Sequence, residues 1–170
     1  PAGATVTINA VPTPPTAPTV ASTTQPTCAV PTGTIVFTAQ AGVEYSINNG
    51  TSYQAGATFA GLAPGTYTLR VRSIADNTCS TPAGATVTIN AVPTPPTAPT
   101  VASTTQPTCA VPTGTIVFTA QAGVEYSINN GTTYQAGATF AGLAPGTYTL
   151  RVRSIADNTC STPAGATVTI

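Results

Sequence analysis

Across 170 residues the chain carries 4 basic and 4 acidic side chains, no histidine and a formal net charge of zero. That balance argues against nucleic acid or an anionic membrane as partner, since both select a basic surface field. No stretch is long and apolar enough to span a bilayer and no leader is legible, so an export signal or anchor is expected outside these residues.

Residues 1–89 return as residues 82–170 with a single change, Ser52 in the first copy and Thr133 in the second, so the sequence has a period of 81 residues. Copies that stay this alike point to one mechanical unit used repeatedly. Pro, Gly and Thr recur throughout and no apolar stripe of helical period is present, which predicts an all-β chain. Residues 1–11 read as the last strand of a preceding repeat, or as a strand donated to a neighbour, with Ala2 to Ile8 as its core. Residues 12–18, rich in Pro and Thr, lack a full set of backbone donors and read as a semi-rigid extended connector.

Residues 19–92 then read as one module. Thr19 to Thr27 is a first edge strand, with Pro26 placed where a missing donor is tolerated. Gly33 to Ala39 turns Ile35, Phe37 and Ala39 to one face, and Val43, Tyr45 and Ile47 alternate likewise in the next run. Asn48-Asn49-Gly50-Thr51 marks a tight hairpin, because Asn and Gly tolerate the positive φ of primed turns. It leads into Ser52-Tyr53-Gln54, followed by a short strand at Thr58 and Phe59. Gly65 to Ile74 places Tyr67, Leu69 and Val71 inward and Thr66, Thr68, Arg70 and Arg72 outward. Ala83 to Val92 places Ala85, Val87 and Ile89 inward. About seven short strands in such a length suggest a β-sandwich. Residues 93–99 repeat the connector and residues 100–170 the module.

Each copy holds two cysteines, Cys28 with Cys79 and Cys109 with Cys160. One disulfide per module in an oxidising compartment is the expected arrangement, stabilising by about 4 kcal/mol on chain-entropy accounting. Reduced buried thiols are the alternative. A zinc site fits less well, lacking His and any CxxC spacing.

The run Thr58-Phe59-Ala60-Gly61-Leu62-Ala63-Pro64-Gly65-Thr66-Tyr67-Thr68-Leu69 resembles the F-x-G-L-x-P-G-x-Y-x-L/V signature of many bacterial surface β-sandwiches. Taken with Thr24-Gln25-Pro26-Thr27-Cys28, Gly33-Thr34-Ile35, Tyr45-Ser46-Ile47-Asn48 and Cys79, the unit is similar to the tandem repeats of SprB-type gliding adhesins. The resemblance implies tandem immunoglobulin-like sandwiches in an extracellular stalk or filament at the cell surface. It gives structural roles to Leu62, plugging the core, to the turn Pro64-Gly65 and to Tyr67, and equally to Leu143, Pro145, Gly146 and Tyr148. Tyr67 is expected to act as a tyrosine corner. The second cysteine lies far beyond that tyrosine, so the bridge is expected near one end of the module, tying the segment before Gly33 to the loop after Ile74.

Catalytic equipment is absent from the sequence, and no enzyme activity, metal or cofactor is expected. Glu44, outward on its strand, is expected to pair with Arg70 or Arg72. Asp76 is expected to cap a turn, and no cluster of oxygens suits calcium. The absence of Lys excludes Lys-Asn isopeptide cross-links, while a Thr-Gln ester stays chemically open. Outward Thr rows at Thr66, Thr68, Thr86 and Thr88 read as ordinary wetted strand faces. The Asn-Gly-Thr sequons at Asn49 and Asn130 read as hairpins, and the Thr-Pro connector as a candidate for O-glycans. The expected function is a non-catalytic structural repeat whose partners are neighbouring repeats or identical chains, with strand addition as one mode of contact. The alternative is an arrayed weak polysaccharide-binding module using Tyr53 and Tyr134.

Overall fold

The computed structural model describes residues 3–82, 84–163 and 165–170. Among these residues there is no helix; the chain is all-β, with short strands in several small sheets. Two compact units form, Pro1–Pro26 with Thr32–Ala91, and Thr27–Pro31 with Val92–Ile170.

The first unit contains β1 (Val20–Thr24), β2 (Gly33–Phe37), β3 (Val43–Ser46), β4 (Thr58–Leu62), β5 (Gly65–Thr68), β6 (Arg70–Ser73) and β7 (Thr86–Ile89). β2 lies between β1 and β4, β3 pairs with β6, and β5 pairs with β7, all antiparallel. β5 and β6 are halves of one run broken at Leu69, whose N–H donates to the Ala85 carbonyl (2.8 Å). Strict alternation along β2, β3 and β6 puts Ile35, Phe37, Val43, Tyr45 and Val71 into a single core with Leu69 and Ile89. Phe37 is its centre, 4.9 Å from the Tyr45 ring and 5.6 Å from that of Phe59, spacings at which tilted aromatic pairs attract. The buried Tyr45 hydroxyl avoids a desolvation penalty by accepting the Gln40 N–H (2.6 Å).

The hairpin after β3 forms where Asn-Gly requires it. Asn49 and Gly50 adopt φ of 57° and 85°, and the Thr51 N–H closes the turn on the Asn48 carbonyl (3.2 Å). The Asn48 amide group donates to the Ser52 hydroxyl (2.8 Å), and Asn129 does the same to Thr133 (2.8 Å). The one substitution between the copies therefore keeps the hydroxyl that the turn uses.

The second unit repeats these elements as β8 (Val101–Thr105), β9 (Gly114–Phe118), β10 (Val124–Ser127), β11 (Thr139–Leu143), β12 (Thr147–Ser154) and β13 (Ala166–Thr169). β9 lies between β8 and β11, and β12 between β10 and β13. Its core is the same set of positions, Ile116, Phe118, Val124, Tyr126, Leu150, Val152 and Ile170.

Several expected strands are shorter or missing. Gly3 to Ile8 form no strand and leave Val6 and Ile8 86% and 91% exposed, whereas the same residues at 86–89 pair with β5; Ala2 lies outside the described residues. Val87 faces Tyr67 and Val168 faces Tyr148, so each unit is completed by the strand that follows it. Ser52-Tyr53-Gln54 is not a strand but touches β3 through one bridge, Tyr45 to Gln54. Ala39 and Ala85 are exposed, Ala39 because β2 ends at Phe37; the expected strand start at Ala83 lies outside the described residues. The connector is tied down: the Thr16 hydroxyl donates to the Gln40 side-chain carbonyl (2.7 Å), and Thr97 makes the same bond to Gln121 (2.8 Å).

Ile89 packs where Gly33 has no side chain. A Cβ at Gly33 would stand 2.7 Å from Ile89 Cγ2 and 2.8 Å from the Thr24 carbonyl oxygen, and backbone cannot yield as a side chain can. Gly33→Ala is expected to destabilise by about 1–3 kcal/mol, the usual cost of overpacking a core. Urea unfolding followed by near-UV circular dichroism measures it; an unchanged midpoint would show that the core does not close at this contact.

Candidate functional site

The feature with chemistry in it lies in the second unit. Residues 27–31 turn back on themselves, the Thr27 N–H donating to the Val30 carbonyl (2.9 Å) and the Val30 N–H to the Thr27 hydroxyl (3.0 Å). This local turn, of a kind Thr favours, presents the next two backbone donors outward. The Cys28 N–H donates to Asp157 Oδ2 (3.0 Å) and the Ala29 N–H to the Thr159 hydroxyl (3.3 Å). Cys28 is disulfide-bonded to Cys160, and its sulfur lies 3.2 Å from the Pro93 carbonyl oxygen.

The pairing expected inside each copy, Cys28 with Cys79 and Cys109 with Cys160, is therefore replaced by one bridge from Cys28 to Cys160, 132 residues apart, with Cys79 and Cys109 as free thiols. The loops are of the expected kind, one before a Gly33-type strand start and one after an Ile74-type strand end, but they come from different sequence copies. Loop entropy does not decide between the pairings. Lengthening the closed loop from 51 to 132 residues alters its contribution by less than about 1 kcal/mol, because the dependence is logarithmic. The decision is local: residues 27–31 pack in the unit that contains Asp157, Thr159 and Cys160.

Asp157 is prepared for this loop. Its Oδ1 accepts both the Thr159 N–H (2.9 Å) and the Thr159 hydroxyl (2.6 Å), leaving Oδ2 for Cys28. The Thr159 hydroxyl first, then the Cys28 and Thr159 amides, hold the carboxyl below its ordinary value of 3.8. Asp76 in the first unit caps its turn the same way, through the Thr78 N–H (2.9 Å) and hydroxyl (2.6 Å), which lower its pKa. Among the described residues its Oδ2 faces only the Cys79 thiol, at 3.5 Å, and that thiol is pushed above its ordinary value by desolvation and then by Asp76 itself. Cys28, Asp157 and Cys160 bring three ligand atoms within 4.8 Å of one another, but the two sulfurs are bonded to each other and the carboxylate already accepts an amide.

The other sequence-derived positions fall elsewhere. Glu44 pairs with Arg72 (2.6 Å), and Glu125 with Arg153 (2.7 Å). The same guanidinium lies 4.3 Å over the Tyr53 ring, and that of Arg153 lies 4.2 Å over Tyr134, so one face of each candidate sugar-stacking ring is occupied. The Tyr67 hydroxyl returns to the Ala63 carbonyl (2.7 Å) and Tyr148 to Ala144 (2.8 Å), the local bond of a tyrosine corner. These bonds span the Pro64-Gly65 and Pro145-Gly146 turns, and Leu62 and Leu143 pack at the core margin. Thr66 and Thr88 hydroxyls face each other at 3.5 Å. A groove of about 400 Å³ in the second unit is lined by Thr94–Thr97, Gln121–Val124 and Ser154, without an ionisable group.

Sequence reasoning missed Thr159 as a loop acceptor and Gln25, whose side chain donates to the Thr88 carbonyl (3.1 Å) and accepts the Asn90 N–H (2.8 Å), clamping the end of β7. The spacing Asp-x-Thr-Cys was a usable signal for the first. Comparison with protein-family models and with curated proteins finds no match to this chain.

A carboxyl lowered in the folded state contributes stability above its unfolded pKa and loses it as pH falls through the folded value. The Cys28 and Thr159 amide resonances are therefore expected to titrate together with a midpoint below 3.8, and to lose that titration in Asp157→Ala. Proton NMR between pH 2 and pH 6 reads this directly, on a scale where free carboxyls titrate near about 4. A midpoint at or above the ordinary value would remove Asp157 from the loop's support.

Proposed function

We propose that this chain is a stretch of a secreted bacterial surface filament or adhesin stalk, a structural repeat without catalysis. The carrying observation is that the two sequence copies build the same core, the same Asn-Gly hairpin, the same Glu-Arg pair and the same tyrosine bond from 81-residue units that differ at one position. Identical units serve a function in which each does the same mechanical task at a different place in a series. Each unit is read as an immunoglobulin-like sandwich, the β-sheets packing about the Phe37 or Phe118 core. The likeness of Phe59-Ala60-Gly61-Leu62-Ala63-Pro64-Gly65-Thr66-Tyr67 to SprB-type repeats supports the surface setting, and a disulfide is compatible with an extracellular location.

Polysaccharide binding is the competing reading. The Arg72 guanidinium over Tyr53 argues against it, because a sugar stacking on that face would have to displace a paired charge. Two measurements separate the readings. Antibody raised against the 170-residue chain is expected to decorate fibres projecting from intact source cells in immuno-electron microscopy, and signal confined to the cell interior would overturn the proposal. On a glycan array the chain is expected to be silent; binding that vanishes in Tyr53→Ala, Tyr134→Ala would transfer the function to the module surface.

A further inference from the structure

The bridge in the second unit uses one half from each type of loop, and both halves recur among the described residues with free thiols, Cys109 and Cys79. The first half is a turn that offers a cysteine. Residues 108–111 repeat the shape of residues 27–30: the Thr108 N–H donates to the Val111 carbonyl (2.8 Å) and the Val111 N–H to the Thr108 hydroxyl (3.1 Å). Cys109, in the place of Cys28, is exposed and free. The second half is the cradle that receives such a turn. Asp76, Thr78 and Cys79 stand in the places of Asp157, Thr159 and Cys160, with Oδ1 of Asp76 engaged by Thr78 as Oδ1 of Asp157 is by Thr159. The Pro12 carbonyl, one period before Pro93, lies 3.9 Å from the Cys79 sulfur, whereas that of Pro93 lies 3.2 Å from the sulfur of the docked Cys28.

Among the described residues no turn sits in this cradle. Asp157 Oδ2 accepts a backbone N–H from Cys28, while among the described residues Asp76 Oδ2 has only the weak thiol donor of Cys79. We infer that the loop 108–112 of one molecule docks in the Asp76-Thr78-Cys79 cradle of a second copy of this chain, and that a Cys109–Cys79 disulfide seals the junction head to tail. Cys109 N–H would donate to Asp76 Oδ2 and Ala110 N–H to the Thr78 hydroxyl, reproducing the bonds made by Cys28 and Ala29. The raised pKa of Cys79 fits a thiol that waits beside an unpaired carboxylate; an amide donated to that carboxylate removes part of the charge that holds the proton on sulfur.

The oxidant is a small-molecule disulfide such as oxidised glutathione. One protein thiolate attacks it, forming a mixed disulfide and releasing one glutathione thiolate. The second protein thiolate then attacks the protein sulfur of that mixed disulfide and releases the other glutathione. Two protein thiols are oxidised, two glutathiones leave reduced, and the two thiol protons end on them. This chemistry does not depend on the surface setting proposed above, and it is tested on purified protein, so either reading can fail without the other.

The test is directional. Cys79→Ser keeps only the offered loop and Cys109→Ser only the open cradle. Each alone, treated with oxidised glutathione, is expected to stay monomeric on non-reducing gels, whereas their mixture forms a heterodimer in which peptide mapping finds Cys109 joined to Cys79. The unsubstituted chain forms a ladder through the same linkage. Adding Asp76→Ala to the Cys109→Ser partner is expected to slow heterodimer formation about tenfold, the worth of one hydrogen bond to a charged group. The inference is overturned by homodimers of either variant at the rate of the mixture, by a mixture that stays monomeric, or by an intrachain Cys79–Cys109 bridge. It is equally overturned if mapping of the oxidised parent finds Cys28–Cys79 and Cys109–Cys160.

Discussion

Ile89 sits over the bare backbone of Gly33, and that contact decides which residues make a unit. A side chain at Gly33 would strike both Ile89 and the Thr24 carbonyl, so it is the bare backbone there that lets Ile89 at the end of β7 close over the start of β2. Because Ile170 stands over Gly114 in the same way, each unit is closed by residues that follow it in sequence. The identical residues at Thr5 to Ile8 have no such seat among the described residues and stay exposed. The phase of a periodic string, invisible to any reading of composition, is seen in the fold: Ile89 lies over Gly33 and Ile170 over Gly114, each after its glycine in sequence.

Once a unit closes on itself in this way, the turn at residues 27–31 is not needed for its core. None of Thr27 to Val30 belongs to either core cluster, and the turn's outward N–H groups need acceptors. Asp157 and Thr159 supply them, and the Cys28–Cys160 bond joins the same two loops. Covalent and polar contacts coincide here: the same turn that donates to Asp157 and Thr159 carries the sulfur bonded to Cys160.

Much of this was legible in the sequence. Alternation named Ile35, Phe37, Val43, Tyr45, Leu69, Val71 and Ile89, and all seven are buried, because large apolar side chains on a strand have one place to go. Asn49-Gly50 gave the turn, and the charge sparsity left Glu44 few partners besides Arg72. Alanine misled at Ala39 and Ala85, since a methyl group gains too little from burial to assign a face. The cysteine pairing was not legible in principle. In a perfect repeat, a residue and its image one period later have the same neighbours, so a spacing of 51 and one of 132 are equivalent until the fold assigns each loop to a unit.

The Cys28–Cys160 bridge also changes how the chain answers a pull. Tension entering before Cys28 and leaving after Cys160 crosses through sulfur, and residues 29–159 between them carry none of it. At an extended reach of about 3.3–3.6 Å per residue, some 450 Å of polypeptide is withheld from stretching while the bond stands. Rupture of the hydrogen-bonded strands inside that span cannot lengthen the molecule. That span becomes a reserve of length only once a reductant opens a single bond.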